Sequence, residues 1–271
     1  MSTFEHPIGI FDSGVGGLSV LREIRASMPF ENIIYLGDQG HVPYGPRPME
    51  QIQSFSEGIT RYLLGRESKI VVVACNTASA AALNILRQNF PDVQFVGMEP
   101  AVKPAAEKTL TGKVGVLATP ATFQGALYAS VVERFANGVE LYQDTCNGLV
   151  QQIENGNLSG DETRRILENA LHPMLEKNID TVVLGCTHYP FVIPLIKEIV
   201  GENVRVIDPA PAVARQVKRL LEARGMENKH GGGVRFVTSG EADKFKSNLR
   251  ILLGVEADVE TVTWETDHRI R

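Results

Sequence analysis

The sequence predicts an α/β fold of two similar, doubly wound lobes with parallel-rich sheets, related by internal pseudo-symmetry, with a site in the cleft between them. Three observations predict it. Ile70-Val71-Val72-Val73 is a run of β-branched residues without polar alternation, as expected of a strand covered on both faces. Strand-like runs alternate with helical stretches along most of the chain. The chain also repeats itself over a period far longer than a solenoid's. Ile8-Gly9-Ile10-Phe11 matches Val114-Gly115-Val116-Leu117 at an offset of 114 − 8 = 106, and on it Ser13 falls on Thr119. Ile33 to Asp38 falls on Val139 to Asp144 (139 − 33 = 106), Cys75 on Cys186 (186 − 75 = 111), and Pro100 on Pro209 (209 − 100 = 109).

In chain order, the strand Ile8 to Phe11 leads into Asp12-Ser13-Gly14-Val15-Gly16-Gly17 and a helix from Leu18 to about Ala26. The glycines lack the lysine of a P-loop and the spacing of a dinucleotide fingerprint. Asp12 and Ser13 stand at the strand's carboxyl end, as helix caps or as site residues. A strand Ile33 to Leu36 ends at Gly37-Asp38. The proline-rich loop Gln39 to Pro48 is stiff and shaped, suited to presenting Tyr44 and backbone amides to a small anion. A helix from Met49 to Leu64 precedes the Ile70 strand, which stops at Cys75; Asn76-Thr77 then opens an alanine-rich helix. Val93 to Met98 is the next strand.

The second lobe is predicted to carry Thr119 and Thr122 at its first strand end, then one helix to about Asn137. A short helix over Asn147 to Glu154 is stopped by Asn155-Gly156-Asn157, and a longer one runs from Gly160 to Lys177, bent at Pro173. Thr181 to Leu184 repeats the Ile70 strand and ends in Gly185-Cys186-Thr187-His188. Leu195 to Val200 and Val204 to Ile207 complete this lobe. A helix from Ala210 to Ala223, a strand Val234 to Thr238, a helix Glu241 to Leu253 and a strand Val259 to Trp264 follow. This tail is assigned back to the first lobe, giving lobes of 1–98 plus 210–271 and of 99–209.

A chain of 271 residues, 43% of them hydrophobic, is long enough for a large core. The formal charge of −5 speaks against nucleic acid as a partner. Met1 to Pro7 is polar, and no apolar stretch nears the roughly 18 residues of a membrane helix, so a cytoplasmic protein is expected. Cys75, Cys146 and Cys186 include no CxxC pair and no metal-ligand spacing, so neither disulfide nor metal is expected.

Cys75 and Cys186 at matched strand ends would face each other across the cleft. A pair of thiols flanking one carbon suits two-base proton exchange: one takes a proton from one face, the other supplies a proton to the opposite face. A thiol pKa of about 8.5 can be poised for either role. Asp12 and His188 are the nearest polar candidates to assist them. Ser13, Asn76, Thr77, Thr119 and Thr187 would hold carboxylates in a preorganised pocket.

The blocks Phe11-Asp12-Ser13-Gly14-x-Gly16-Gly17, Pro43-Tyr44-Gly45, Ala74-Cys75-Asn76-Thr77-Ala78 and Gly185-Cys186-Thr187-His188-Tyr189-Pro190 resemble the signature blocks of the glutamate racemases, in the right order. That family is bacterial, needs no cofactor and supplies D-glutamate for peptidoglycan. The resemblance implies that Cys75 works on the D-enantiomer and Cys186 on the L-enantiomer. It implies substrate contacts from Asp12, Ser13, Pro43, Tyr44, Gly45, Asn76, Thr77, Thr119, Thr122, Thr187 and His188, with Asp38 and Glu154 assisting the thiols. Cys146 matches no block and is read as a structural thiol. A homodimer is expected; some relatives bind DNA gyrase, and nothing in this chain decides that contact. The alternatives left open are a racemase for aspartate or another small amino acid, and a two-lobed amino-acid-binding protein without chemistry.

Overall fold

The computed structural model describes residues 5–266 and 269–271, so the first part of the polar Met1–Pro7 stretch lies outside it. The first half of the chain alternates β1 (Ile8–Asp12), α1 (Leu18–Ser27), β2 (Ile33–Gly37), α2 (Met49–Leu64), β3 (Ile70–Val73), α3 (Asn76–Asn89) and β4 (Phe95–Gly97). There follow α4 (Val102–Lys108), β5 (Lys113–Ala118), α5 (Pro120–Gln124), α6 (Ala126–Phe135), β6 (Glu140–Asp144), α7 (Leu149–Glu154), α8 (Asp161–Leu175) and β7 (Thr181–Gly185). A 3-10 turn (Tyr189–Val192), α9 (Ile193–Val200) and β8 (Arg205–Ile207) lead to α10 (Ala210–Arg224), β9 (Val234–Thr238), α11 (Ala242–Leu253) and β10 (Val259–Thr261).

The strands form two parallel sheets. One has six strands in the order β10-β9-β2-β1-β3-β4, the other four in the order β6-β5-β7-β8. The run β2-β1-β3-β4 is thus repeated as β6-β5-β7-β8, the internal symmetry that the sequence predicts. The tail strands β9 and β10 extend the first sheet through β2. The registers correct two of the offsets. Ile8 pairs with Ile33 and Val114 with Leu141, so the second strands differ by 141 − 33 = 108, not 106. Continued past the strand ends, that sets Cys146, rather than Asp144, in the place of Asp38. Val71 pairs with Phe95 and Val182 with Val206, an offset of 206 − 95 = 111 in place of 109. The third strands keep 181 − 70 = 111, as the cysteines require.

Residues of β1, β2, β3 and β7 are buried throughout, which is why these strands read as unbroken apolar runs. Alternate side chains serve the two faces. Ile8 and Ile10 join the core under α1 and α10, while Phe11, Val71 and Val73 join the core under α2 and α3. Each such fully buried Val or Ile contributes about 1.5–3 kcal/mol. The core under α1 continues without a break into the second lobe through Leu167, Leu171, Val182 and Leu184.

Three elements differ from expectation. The single helix after Thr119 is two, because Gly125 adopts an extended conformation (φ −71°, ψ 138°). A side chain there would come within 2.7 Å of the Ala80 Cβ on α3, so the break lets the lobes approach. The fourth strand shrinks to β4, three residues long. The last strand stops at Thr261; Trp264 instead makes an antiparallel bridge with Ile270, because Thr263 and Arg271 exchange backbone hydrogen bonds and turn the chain back. No helix among the described residues is long and apolar enough to cross a membrane.

Candidate active site

The carboxyl ends of β1, β3, β5 and β7 converge on one cleft of ≈ 200 Å³ between the lobes, a size suited to a small ligand. Cys75 follows β3 and caps α3: its extended backbone (φ −141°, ψ 121°) aims Sγ at the first turn, where the Ala78 N–H donates to it at 3.4 Å. Its thiol also lies 3.8 Å from Ser13 Oγ. Cys186 follows β7 in the same way, with Sγ 3.8 Å from His188 Nδ1. Both sulfurs line the cleft, and the residues are only 4% and 5% exposed. One thiol therefore comes from each lobe.

Behind Cys186 runs a chain of buried polar groups that crosses between the lobes. His188 Nε2 is 2.7 Å from Glu154 Oε1, both side chains 2% exposed or less. The same oxygen accepts from the Val15 N–H at 2.8 Å, and Gln39 Nε2 donates to Glu154 Oε2 at 2.8 Å. The glycine loop is explained here. A Cβ on Gly14 would overlap Glu154 Oε1, and one on Gly16 would overlap His188 Nδ1. The glycines make room for a partner lobe, not for phosphate.

Asp12 accepts from Thr187 Oγ1 at 3.2 Å across the lobe boundary and from the Gly14 N–H at 3.0 Å. Thr77, Thr119 and Thr122 share their hydroxyls in a line, at 2.8 and 2.9 Å. The side-chain amide of Asn76 lies in the cleft wall with neither its oxygen nor its nitrogen hydrogen-bonded. A buried amide without partners costs free energy unless a ligand satisfies it, and both polar atoms of Asn76 are available to one. Tyr44 stands in the wall with its hydroxyl donating to Asp38 Oδ2 at 2.6 Å.

The electrostatics follow from burial and these contacts. Burial pushes the Cys75 thiol well above its ordinary range, and the nearby Asp12 carboxylate adds to the effect. Burial alone would push His188 down. Its bonds to Cys186 and Glu154 outweigh that and hold it well above the ordinary imidazole range. Glu154 is held low despite burial, chiefly by its bond to His188, so the two form an ion pair. Asp12 is raised by burial, against the pull of His188 and the Gly14 N–H.

Of the residues singled out in the sequence, Ser13, Pro43, Tyr44, Gly45, Cys75, Asn76, Thr77, Thr119, Cys186, Thr187 and His188 line the cleft. Asp12, Asp38, Thr122 and Glu154 stand behind that wall and reach it through Thr187, Tyr44, Thr119 and His188. Cys146 and Asn147, between β6 and α7, line the cleft together with Gln151 on α7, a wall that sequence reasoning missed. The corrected offset of 108, which sets Cys146 in the place of Asp38, is the signal that would have found it. Among the described residues no group of three or more His, Cys, Asp or Glu is placed to hold a metal ion.

Comparison with known proteins agrees with this geometry. Residues 9–217 match the family model described as Asp/Glu/Hydantoin racemase. A glutamate racemase of Pseudomonas paraeruginosa is 48% identical over 260 residues, covering 96% of this chain and 98% of the relative. The solved glutamate racemase of Francisella tularensis, in complex with D-glutamate, superposes with a TM-score of 0.83 at 32% identity, over 96% of this chain and 98% of that one. That of Escherichia coli, in complex with L-glutamate and the activator UDP-MurNAc-ala, gives 0.83 at 32% identity over 95% and 98%. The chain belongs to the Asp/Glu/Hydantoin racemase family and, within it, to the glutamate racemases, which are isomerases.

Proposed function

We propose that this protein interconverts L- and D-glutamate by proton transfer between two cysteines, and that its D-glutamate supplies peptidoglycan synthesis in the cytoplasm. The observation that carries the reading is the pair of buried thiols, one from each lobe at matched strand ends, lining a single small cleft. From L-glutamate, Cys186 as thiolate takes the Cα proton. The electron pair left on Cα is delocalised into the adjacent carboxylate, and the Cys75 thiol gives its own proton to the opposite face. The C–H bond broken on one face is replaced by one formed on the other, and the charge ends on Cys75. From D-glutamate the roles reverse.

The raised pKa of Cys75 supports its part as the acid in the first direction, since it is protonated in the free enzyme near neutral pH. His188, charged and paired with Glu154, is the group beside Cys186 that exchanges a proton with it and keeps it oriented. Asn76 and the hydroxyls of Ser13, Thr77, Thr119 and Thr187 bind the two carboxylates; Pro43, Tyr44 and Gly45 form the opposing wall. Asp12, Asp38 and Thr122 hold these groups from behind. Cα–H is far less acidic than a thiol, so much of the catalysis must come from fixed donors in a cleft from which water is excluded. The lobes that close on the substrate are 1–98 with 210–271, and 99–209.

The test is solvent deuterium incorporation at Cα, started separately from L- and D-glutamate without added cofactor. The wild type should yield each enantiomer labelled, and Cys75→Ser and Cys186→Ser should each lose at least ~10²-fold in turnover. Exchange of aspartate with inert glutamate would keep the chemistry and change the substrate. Binding of glutamate without any exchange would make this a binding protein.

A further inference from the structure

We propose that Trp264, at the far end of the chain, is a positioning residue for the cleft: it holds Asp38, which in turn holds the Tyr44 wall. The inference rests on the racemase reading for its readout. Asp38 is completely buried, and a buried carboxylate needs donors on both oxygens. They come from two parts of the chain. Tyr44 OH donates to Oδ2 at 2.6 Å, and His41 Nδ1 lies 3.0 Å from the same oxygen and 3.1 Å from Oδ1, both from the loop that forms the wall. Trp264 Nε1 donates to Oδ1 at 2.7 Å, and Ser239 Oγ donates to the same oxygen, both from the tail. Asp38 is therefore a joint between the wall loop and the tail, with Tyr44 as its only one of these partners in the cleft lining.

The indole is itself anchored. Its ring lies 5.5 Å from Phe55 and 5.3 Å from His41, and His41 stacks on Phe55 at 3.9 Å. Its backbone is tied by the bridge to Ile270. Fixed ring, fixed donor and short bond together set the tilt of the carboxylate. Without the indole N–H, the carboxylate can rotate toward its remaining donors, and the Tyr44 hydroxyl must follow it. That displaces a wall of the cleft without touching either thiol.

A double-mutant cycle on Trp264→Phe and Tyr44→Phe tests this, with KM and kcat measured for both enantiomers. Phenylalanine keeps an aromatic ring beside Phe55 and His41 and removes the donor, and Ser239→Ala, which removes a donor on the same carboxylate without touching the ring, controls for the lost indole volume. Trp264→Phe should raise KM roughly tenfold, the scale of one hydrogen bond to a charged acceptor, and leave kcat within about twofold. In the Tyr44→Phe background, where Asp38 no longer holds the cleft-lining hydroxyl, the same change should move KM less than about twofold. Additive effects, or an unchanged KM in Trp264→Phe, would overturn the proposal. If Trp264→Phe does not fold, Ser239→Ala removes the tail's second donor on the same oxygen and carries the same cycle. A wild type that leaves glutamate unchanged sinks the racemase reading instead, which the wild-type control separates from failure of this link.

Discussion

Glu154→Gln removes one negative charge from a buried ion pair and changes little else in shape. Glu154 Oε1 serves both His188 Nε2 and the Val15 N–H, at 2.7 and 2.8 Å, and Oε2 accepts from Gln39. A glutamine can keep the bond to Val15 with its carbonyl, but its NH2 then meets the NH2 of Gln39, donor against donor. His188, 2% exposed and held well above its ordinary pKa in part by this carboxylate, is left as an unpaired buried cation or must lose its proton. Breaking a buried pair from one side costs about 3–5 kcal/mol, and neutralisation of the ring sets the outcome near the lower limit. For 271 residues, 3 kcal/mol corresponds to about 5 °C in Tm.

The pH dependence follows from the two shifts. His188 is raised when folded, so its stabilisation is full below the unfolded value near 6.5 and is lost as pH rises through the folded value. Glu154 is lowered when folded, so its stabilisation is full above 4.5 and is lost as pH falls through the folded value. The wild type's advantage over Glu154→Gln should therefore be greatest from about pH 5 to 6.5 and should shrink toward both extremes. Calorimetry across pH 4 to 10 reads this, alongside a loss of about 10²-fold or more in kcat/KM from L-glutamate at pH 8. A Tm difference below 1 °C at pH 6, or activity within twofold of wild type, would refute the reasoning.

Gly14→Ala should displace Glu154, because the new methyl overlaps its Oε1, and should lower activity and Tm in the same direction as Glu154→Gln; thermal melts and initial rates on the two variants check this. Thr119→Val removes the hydroxyl shared by Thr77 and Thr122, and should raise KM by about fivefold, one neutral hydrogen bond's worth, in a steady-state assay. In the D-to-L direction Cys75 must be thiolate, so kcat/KM for D-glutamate should still be rising with pH above the ordinary thiol range of about 8.5. A plateau below pH 8 in that direction would contradict the burial of Cys75.

The two thiols were legible because everything that presents them is local: a buried apolar run, then a helix start. Each needs only about ten residues of context, and the two contexts match. The wall formed by Cys146, Asn147 and Gln151 was hidden by a shift of two residues in the second strand's register, set by hydrogen bonds between strands rather than by side chains along one of them. The purpose of Gly14 and Gly16 was hidden for a different reason. It depends on Glu154 and His188, which lie far away in sequence and meet the loop only after the lobes pack. The strand expected over Val259 to Trp264 stops at Thr261, short of Trp264. Its bond to Asp38, 226 residues upstream, leaves no trace in the local pattern.

The pairing of β2 with β9 also has a bearing on how the chain is made. β2 ends at Gly37 and its neighbour begins at Val234, 234 − 37 = 197 positions later. During synthesis at about 5–20 residues per second, β2 waits roughly 10–40 s for its neighbour. For that time it is an open, hydrophobic edge, able to pair with another nascent chain. The four strands of the second sheet, all synthesised before β9, have every partner available and can close first. The second sheet can thus be complete while the first still waits, and it is β9 and β10 that seal the sheet carrying Cys75.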